Sequence, residues 1–449
     1  MAIQLRIKGT STLSLTDITN IASMNIMLGG AAINVPVVDG SVELTFRGSV
    51  STIRNNVTAL NRLITEVKQR QIDPSVQKVY LEGDNGGGWY RSELKDIYID
   101  AGNDYFDRVE RGTAPVILRF IRANYWENST ETSIPLSNLN GTNLTDGINV
   151  YNANDLVGTS PNRRCNYFDI AAGVIGGDLP TPLNLILTNT HSSLSLYQTH
   201  IGMNDTNPTS ATWKWEAEAI KTASASTISD SGASAGAYAG GTMTPTGGGY
   251  KVPIIEFTLT SAQATAFSGQ FVRLMARAFS GVILYTTTHK YQVEIEVSGY
   301  PVWQSEWWTR PVGGSYSWLD FGVVRMPPSL AGLPSLGEVK ITIYGDTLVA
   351  ASWGIDDLIL LPIDGYQYFN HATPVGYSLV VDNVAEHYYM SGAGAMNLKP
   401  VFSWIGKPLL LTPAKATRLY LLTQWGITGA DITGVVSVEA TYRERKATL

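Results

Sequence analysis

What this sequence has little of narrows its chemistry first. It holds one cysteine, Cys165, in 449 residues, so no intrachain disulfide is available and no cysteine-rich metal site can be assembled. Charge is scarce too: Asp, Glu, Lys and Arg make up 16% against 44% hydrophobic residues, a balance that suits buried sheets and subunit interfaces and excludes a long disordered or coiled-coil chain. A net charge of −6 and a pI near 5.5 lack the basic surplus of a protein that grips nucleic-acid phosphates, so no nucleic-acid partner is expected. No apolar run reaches the roughly 18 to 20 residues of a membrane helix, and membrane insertion is not expected. The N-terminus, Met1-Ala-Ile-Gln-Leu-Arg-Ile-Lys, alternates apolar and polar residues where a secretory leader would place a basic and then an apolar stretch, which points to folding in a reducing cytoplasm. Asn-x-Ser/Thr triplets at Asn128 and Asn143 are then chance matches.

What is present is alternation. The length calls for two or three domains, and the pattern divides into 1–181, 182–365 and 366–449. In the first part Ile3-Leu5-Ile7 and Val42-Leu44-Phe46 have the period of two of strands. Ile53, Val57, Leu60, Ile64 and Val67 then recur at helical spacing, with Arg54, Asn61, Arg62, Glu66 and Lys68 between them, so residues 49–70 form an amphipathic helix laid on a sheet and ended by Asp73-Pro74. Strands resume at Lys78 and break at Asp84-Asn-Gly-Gly-Gly, a hairpin tip and not a phosphate cradle. The polar stretch up to about residue 164 has the composition of loops and a connector.

The middle part is all β by pattern. Its strands, separated by Gly and Pro turns, include Trp213-Lys-Trp-Glu, Ile254-Ile-Glu-Phe, Phe271-Val-Arg-Leu-Met, Tyr291-Gln-Val-Glu and Glu338-Val-Lys-Ile-Thr, the signature of a jelly-roll sandwich. Residues 222–249 are so rich in Ser, Ala, Thr and Gly that they are expected to be an exposed flexible loop. The last part holds few strands for an independent domain and is expected to complete the N-terminal sheet, with the jelly roll inserted between. The fold class is therefore mainly β: an N-terminal β domain with one amphipathic helix, a central jelly-roll β-sandwich and C-terminal strands.

No set of residues has the spacing of a catalytic centre. His191, His200, His289, His371 and His387 show no ligand spacing and read as core or loop histidines. Gly232-Ala-Ser234-Ala-Gly236 matches a nucleophile-elbow pattern but sits in the small-residue stretch, without a strand before it and a helix after it. Cys165 has no histidine near it in sequence and phosphate-loop motifs are missing. Two groups stand open to either a bland or a functional reading. Trp303, Trp307, Trp308, Tyr316 and Trp318 crowd around the turn Arg310-Pro-Val-Gly-Gly and could offer flat faces to sugar rings or serve as core and subunit contact. Glu216 and Glu218, two apart on a strand, share a face and could converge with Asp356 and Asp357 on calcium, act as a glycosidase pair, or be solvated.

Trp213-Lys-Trp-Glu-Ala-Glu, Phe271-Val-Arg-Leu-Met-Ala-Arg-Ala, Trp318-Leu-Asp-Phe-Gly-Val-Val-Arg-Met-Pro and Gly354-Ile-Asp-Asp-Leu-Ile-Leu-Leu-Pro resemble jelly-roll carbohydrate-binding modules over about 180 residues. The resemblance implies glycan binding and a structural calcium on Glu216, Glu218 and Asp357; no other cofactor is implied. The flanks, with Phe46-Arg-Gly-Ser, Val79-Tyr-Leu-Glu, Trp89-Tyr-Arg-Ser, Val116-Ile-Leu-Arg-Phe-Ile-Arg and the ending Lys407-Pro-Leu-Leu-Leu-Thr-Pro-Ala to Val438-Glu-Ala-Thr-Tyr-Arg-Glu-Arg, resemble tail and baseplate proteins of tailed bacteriophages, the distal tail protein above all. That resemblance implies a non-enzymatic virion subunit, assembled in the host cytoplasm into a homo-oligomeric, hexameric ring at the tail tip, and contacting other virion proteins and host-surface glycans. The Gly86-Gly87-Gly88 hairpin and the C-terminal strand are expected to reach neighbouring subunits by edge pairing. A capsid decoration or tail-tube subunit, a stand-alone carbohydrate-binding protein and a glycoside-processing enzyme are the competing readings.

Overall fold

The computed structural model describes all residues except 1–3, 17–20, 29–35, 74, 85, 101–104, 140, 152–164, 206–213, 220–224, 231–232, 234–235, 244, 246–251, 280–288, 311–315, 329–338, 364, 393–398, 402 and 426–434. The chain is mainly β and forms two compact units, one of residues 1–132, 176–181 and 442–449, the other of 133–175 and 182–441.

The first unit is a nine-stranded antiparallel sheet. Across it run Thr12–Ser14, Gln4–Lys8, Tyr80–Asp84, Trp89–Asp100, Thr113–Ala123, Val37–Arg47 and Ile21–Met27, with Trp126–Asn128 beside the start of Trp89–Asp100 and Arg445–Lys446 beside that. The helix Val50–Ile72 begins where the Ser49 side chain accepts the Thr52 N–H at 3.1 Å and ends at Asp73, as capping chemistry requires. It buries Ile53, Leu60, Leu63 and Val67 against Leu5, Ile7, Leu81, Leu94 and Leu118. Glu66, expected on the polar face, is buried instead: its carboxylate accepts the Thr10 N–H at 3.0 Å and the Thr10 hydroxyl. It closes the turn at Gly9, where an added Cβ would strike the carboxylate.

The Asp84 hairpin is filled by its own side chain, which accepts the N–H groups of Gly86 at 2.7 Å and Gly88 at 3.1 Å. Its two strands are paired on both sides, so the expected edge pairing to neighbours is corrected: among the described residues the ends of the main strand path are Thr12–Ser14 and Ile21–Met27. The C-terminal strand Val435–Tyr442 is likewise interior, flanked by Ile148–Tyr151 and Thr181–Asn189.

Among the described residues the second unit holds four sheets. A seven-stranded and an eight-stranded sheet draw on residues 132–204 and 365–442. The polar stretch read as a connector thus supplies the outer strands Leu136–Asn138, Gly141–Leu144 and Ile148–Tyr151, and residues 366–441 pair with these and with 181–204, not with the N-terminal sheet. Only 442–449 return to the first unit.

Between the neighbouring strands Leu196–Asn204 and Gly365–Thr373, whose Met203 and Gly365 are register partners, a second sandwich is inserted. Its six-stranded sheet carries Phe271–Phe279, Tyr316–Arg325 and Ala351–Pro362, its five-stranded sheet Val252–Leu259, His289–Val297 and Val339–Thr347. One apolar core, including Ile255, Phe257, Leu274, Tyr291, Ile343 and Leu360, lies between them. The six-stranded sheet also shares a small core with its host: Met275, Ile359 and Leu361 pack with Cys165, Tyr167, Tyr420 and Leu422.

Part of the stretch expected to be a flexible loop is sheet. Ser226–Ser229 and Ala237–Met243 pair with each other, and the latter with Ala351–Pro362. Large apolar groups are missing there because a neighbour supplies them: a Cβ on Gly240 would come within 2.6 Å of Ile228 Cδ1 and 2.9 Å of the Trp353 carbonyl, and one on Gly241 within 3.2 Å of the Trp353 ring. Gly240→Ala is therefore expected to destabilise the protein by about 1–3 kcal/mol, the usual cost of overpacking, measured as a lower denaturant midpoint at unchanged slope.

Candidate functional site

The inserted sandwich brings one group of carboxylates together. Lys214–Glu216 pairs with Ala351–Pro362, setting Glu216 opposite Asp357, while Asp357 is opposite Arg277 on its other side. Between Arg277 and Ala278 the register shifts, so Asp356 is an extra residue in the ladder. Such a bulge lets two successive side chains turn to one side, and carboxylate oxygens of Glu216, Asp356 and Asp357 lie within 4.8 Å of one another. Glu218, expected on the same strand face, sits in a 3-10 turn, Ala217–Ala219, that ends the strand, and it is not one of this trio.

The charge is met within the chain. Lys214 Nζ is 2.7 Å from Asp357 Oδ1 and 3.8 Å from Glu216, and Arg277 donates to Asp356 Oδ2 at 2.5 Å. Lys214, Arg277, Asp356 and Asp357 are all buried. Burial pushes the Asp357 carboxyl up while Lys214 and Arg277 draw it down. Calcium prefers six to eight oxygen ligands. Here it would have to displace the Lys214 ammonium from the oxygen it holds, so the trio does not fit the calcium implied for Glu216, Glu218 and Asp357. Nor does it fit a glycosidase pair, whose carboxyls flank an accessible bond; these are ion-paired within the sheet.

The tryptophan cluster is divided by the fold. Tyr300–Gln304 returns from His289–Val297 through the tight turn Ser298-Gly299, both at positive φ, and sets Trp303 opposite Ile295, half-buried against the sandwich core. Trp307 is half-buried just after this strand. Trp308–Arg310 pairs with His289–Tyr291 in the same sheet, whereas Tyr316–Arg325 belongs to the six-stranded sheet. Nearness in sequence therefore does not make one platform. The side chains of Trp308, Tyr316 and Trp318 lie outside the described residues, as does most of Gly232-Ala-Ser234-Ala-Gly236.

The polar pairs along the five-stranded sheet, and the exposed tyrosine at its hairpin, went unnoticed in the sequence. Tyr300 is 75% exposed. Tyr344 donates to Glu294 at 3.2 Å, Gln304 donates to Gln292 Oε1 at 2.6 Å, and Gln292 donates to the Ser305 carbonyl at 2.8 Å. Their signal was period two, the alternate residues of strands whose other face is core.

Three of the histidines, His191, His200 and His371, hold local structure, and the side chain of His289 lies outside the described residues. His191 Nδ1 accepts from Ser193 and Leu194 N–H groups. His200 and His371 are buried. Nδ1 of His200 is 2.8 Å from the Tyr366 hydroxyl, and its ring lies 4.4 Å from that of Tyr368; burial and then the nearby Arg273 bring its pKa down to about 3. His371 lies between the hydroxyls of Thr199 and Thr373 at 3.1 and 2.8 Å, and burial brings it down to about 4.

Fold and sites together define a mainly β chain of two units, one a sheet carrying a helix, the other a pair of sheets into whose chain a sandwich is inserted. No family model matches the chain, and no curated protein does. Among solved structures it is similar to two chains of the phage P2 baseplate in its activated conformation. The form with calcium matches at 12% identity over 46% of this chain and 74% of that one, with a TM-score of 0.25; the form with strontium at 10% over 79% and 98%, also 0.25. The VP2 subviral particle of infectious bursal disease virus follows at 6% identity over 59% and 65%, with a TM-score of 0.19. Likenesses of this size do not establish a common fold.

Proposed function

We propose that the chain is a structural, non-enzymatic subunit of a bacteriophage virion, placed at the tail tip, that assembles with copies of itself and with other virion proteins and displays the inserted sandwich toward host-surface glycans. The observation that carries this reading is the insertion itself. A sandwich with its own complete core leaves and rejoins its host on adjacent strands, at Asn204 and Gly365, and is seated by the shared core around Met275 and Tyr420. That is how a chain mounts a second module without interrupting the scaffold that carries it. The sequence resemblance of the flanks to tail and baseplate proteins supplies the virion context. The buried, cation-paired carboxylates favour a non-catalytic module over a glycosidase.

Peptides of this chain are expected in purified particles in a fixed ratio to tail proteins, and the isolated protein is expected to bind host-surface glycans on an array, with at least tenfold loss in Trp307→Ala. Absence from purified particles contradicts the virion role; turnover of a polysaccharide contradicts the non-enzymatic one.

A further inference from the structure

The face of the N-terminal sheet that looks away from the helix has two halves of opposite sign. In the first, register places Arg6, Glu82, Arg91, Glu127 and Arg445 side by side on five successive strands. Each of three carboxylates holds two cations: Glu82 has Arg6 at 2.6 Å and Lys8 at 3.8 Å, Glu127 has Arg91 at 3.0 Å and Arg445 at 3.6 Å, and Glu93 has Lys78 at 3.2 Å and Lys95 at 2.8 Å. In this half of these strands, ahead of Asp96, Asp84 is the one further carboxylate, and it is turned into its hairpin. Six cations against four carboxylates leave this half positive in a chain of net charge −6.

Aromatic rings hold the guanidinium groups in place: Trp89 lies 3.8 Å from Arg6, Tyr80 4.2 Å from Arg91 and Tyr125 3.8 Å from Arg445. Arg, Tyr and Trp held rigid at a surface are the residues that dominate protein interfaces. Past the register shift at Leu94–Asp96 the same face changes character. Asp39, Glu43, Asp96 and Asp100 stand there against Arg47 and Arg119, and an open groove is lined by Asp39, Ser41, Tyr98, Arg119 and Ile121. Tyr98 is 46% exposed.

We propose that this face is the contact between copies of the chain, the arginine-aromatic half of one copy seated on the acidic half of another, where the groove lies. The proposal rests on the reading of the chain as an assembling subunit and names the surface it uses. A foreign acidic partner would account for one half only; a second copy accounts for both, because each copy carries the complement of its own patch. The contact is self-complementary if two copies meet about a two-fold, and it propagates round a ring if they meet head to tail.

Sedimentation of the full-length protein tests this. Wild type is expected to form a discrete oligomer whose apparent dissociation constant rises at least tenfold as salt is raised from about 0.05 M to about 0.5 M, since screening acts on charge-driven contacts. Lys8→Glu/Lys95→Glu and Asp39→Lys/Glu43→Lys are each expected to be monomeric alone, and a mixture of the two to associate again. The lysines are 48% and 46% exposed, and Glu82 and Glu93 each keep a second cation; should Lys8→Glu/Lys95→Glu melt early, Lys8→Gln/Lys95→Gln carries the same test with a weaker shift. Oligomers indifferent to both salt and these variants overturn the surface and leave the virion role standing. Monomers under all conditions overturn the surface too, and the virion role falls with it only if the chain is also missing from particles.

Discussion

Between pH 7 and pH 4 the stability of the 133–441 unit is expected to fall by roughly 3 kcal/mol for each of two buried imidazoles, His200 and His371. In the unfolded chain each takes up a proton near its ordinary value of 6.5, whereas the native pKa values are brought down to about 3 and about 4. Their full contribution is therefore present above the unfolded pKa and is lost as pH falls toward the folded ones, where the slope levels off. The cause is geometric. His200 is enclosed by Tyr366 and Tyr368 with the Arg273 guanidinium facing it, itself paired to Asp320 at 2.6 Å, and His371 is held between two threonine hydroxyls. A charged ring in either place is desolvated without a carboxylate to answer it. Asp357, raised by burial, acts in the opposite sense at acid pH, so the comparison is with variants at matched pH. His200→Gln and His371→Gln should each flatten the dependence of unfolding free energy on pH by up to about 1.4 kcal/mol per pH unit over this interval. Profiles parallel to wild type would contradict the assignment.

Lys214→Met is expected to cost about 3–5 kcal/mol, because it leaves a buried carboxylate without its cation. Lys214 and Asp357 are both inside the inserted sandwich at 2.7 Å. Replacing the pair, as in Lys214→Met/Asp357→Leu, should recover much of that loss, since two desolvated charges are exchanged for apolar packing. The single variant's deficit should shrink as pH is lowered and Asp357 takes up a proton. Denaturant unfolding of the single and double variants measures both effects, and equal losses would show that the lysine acts through packing alone. Calcium is expected to leave the wild-type midpoint unshifted, in keeping with the ammonium already on the Asp357 oxygen.

These two predictions draw on features the sequence shows unequally. The helix at 49–70 and the strands of the inserted sandwich are legible because a single apolar face repeats at a fixed period. Glu66 is not: its position among the helix polar residues gives no sign that the turn at Thr10 will fold over it. Strict alternation would send Asp356 and Asp357 to opposite faces, and only the register shift beside Arg277 brings both into the buried trio. The strand Ala237–Met243 is hidden by its own small residues, whose reason lies in Trp353, more than a hundred residues on. Longer still is the pairing of Ile148–Tyr151 with Val435–Tyr442. No local pattern encodes it, which is why residues 133–175 were expected to belong to the N-terminal domain. The aromatic cluster was divided for the same reason: a turn joins its members in sequence while the two sheets of the sandwich claim them separately.

The scaffold and its inserted module meet their most direct test in images of intact particles labelled with an antibody fragment raised against the Tyr300–Gln304 hairpin. Label confined to the tail tip, with attachment to host cells blocked, is the expected result. Particles that carry no label, while the same fragment binds the isolated protein, would contradict it.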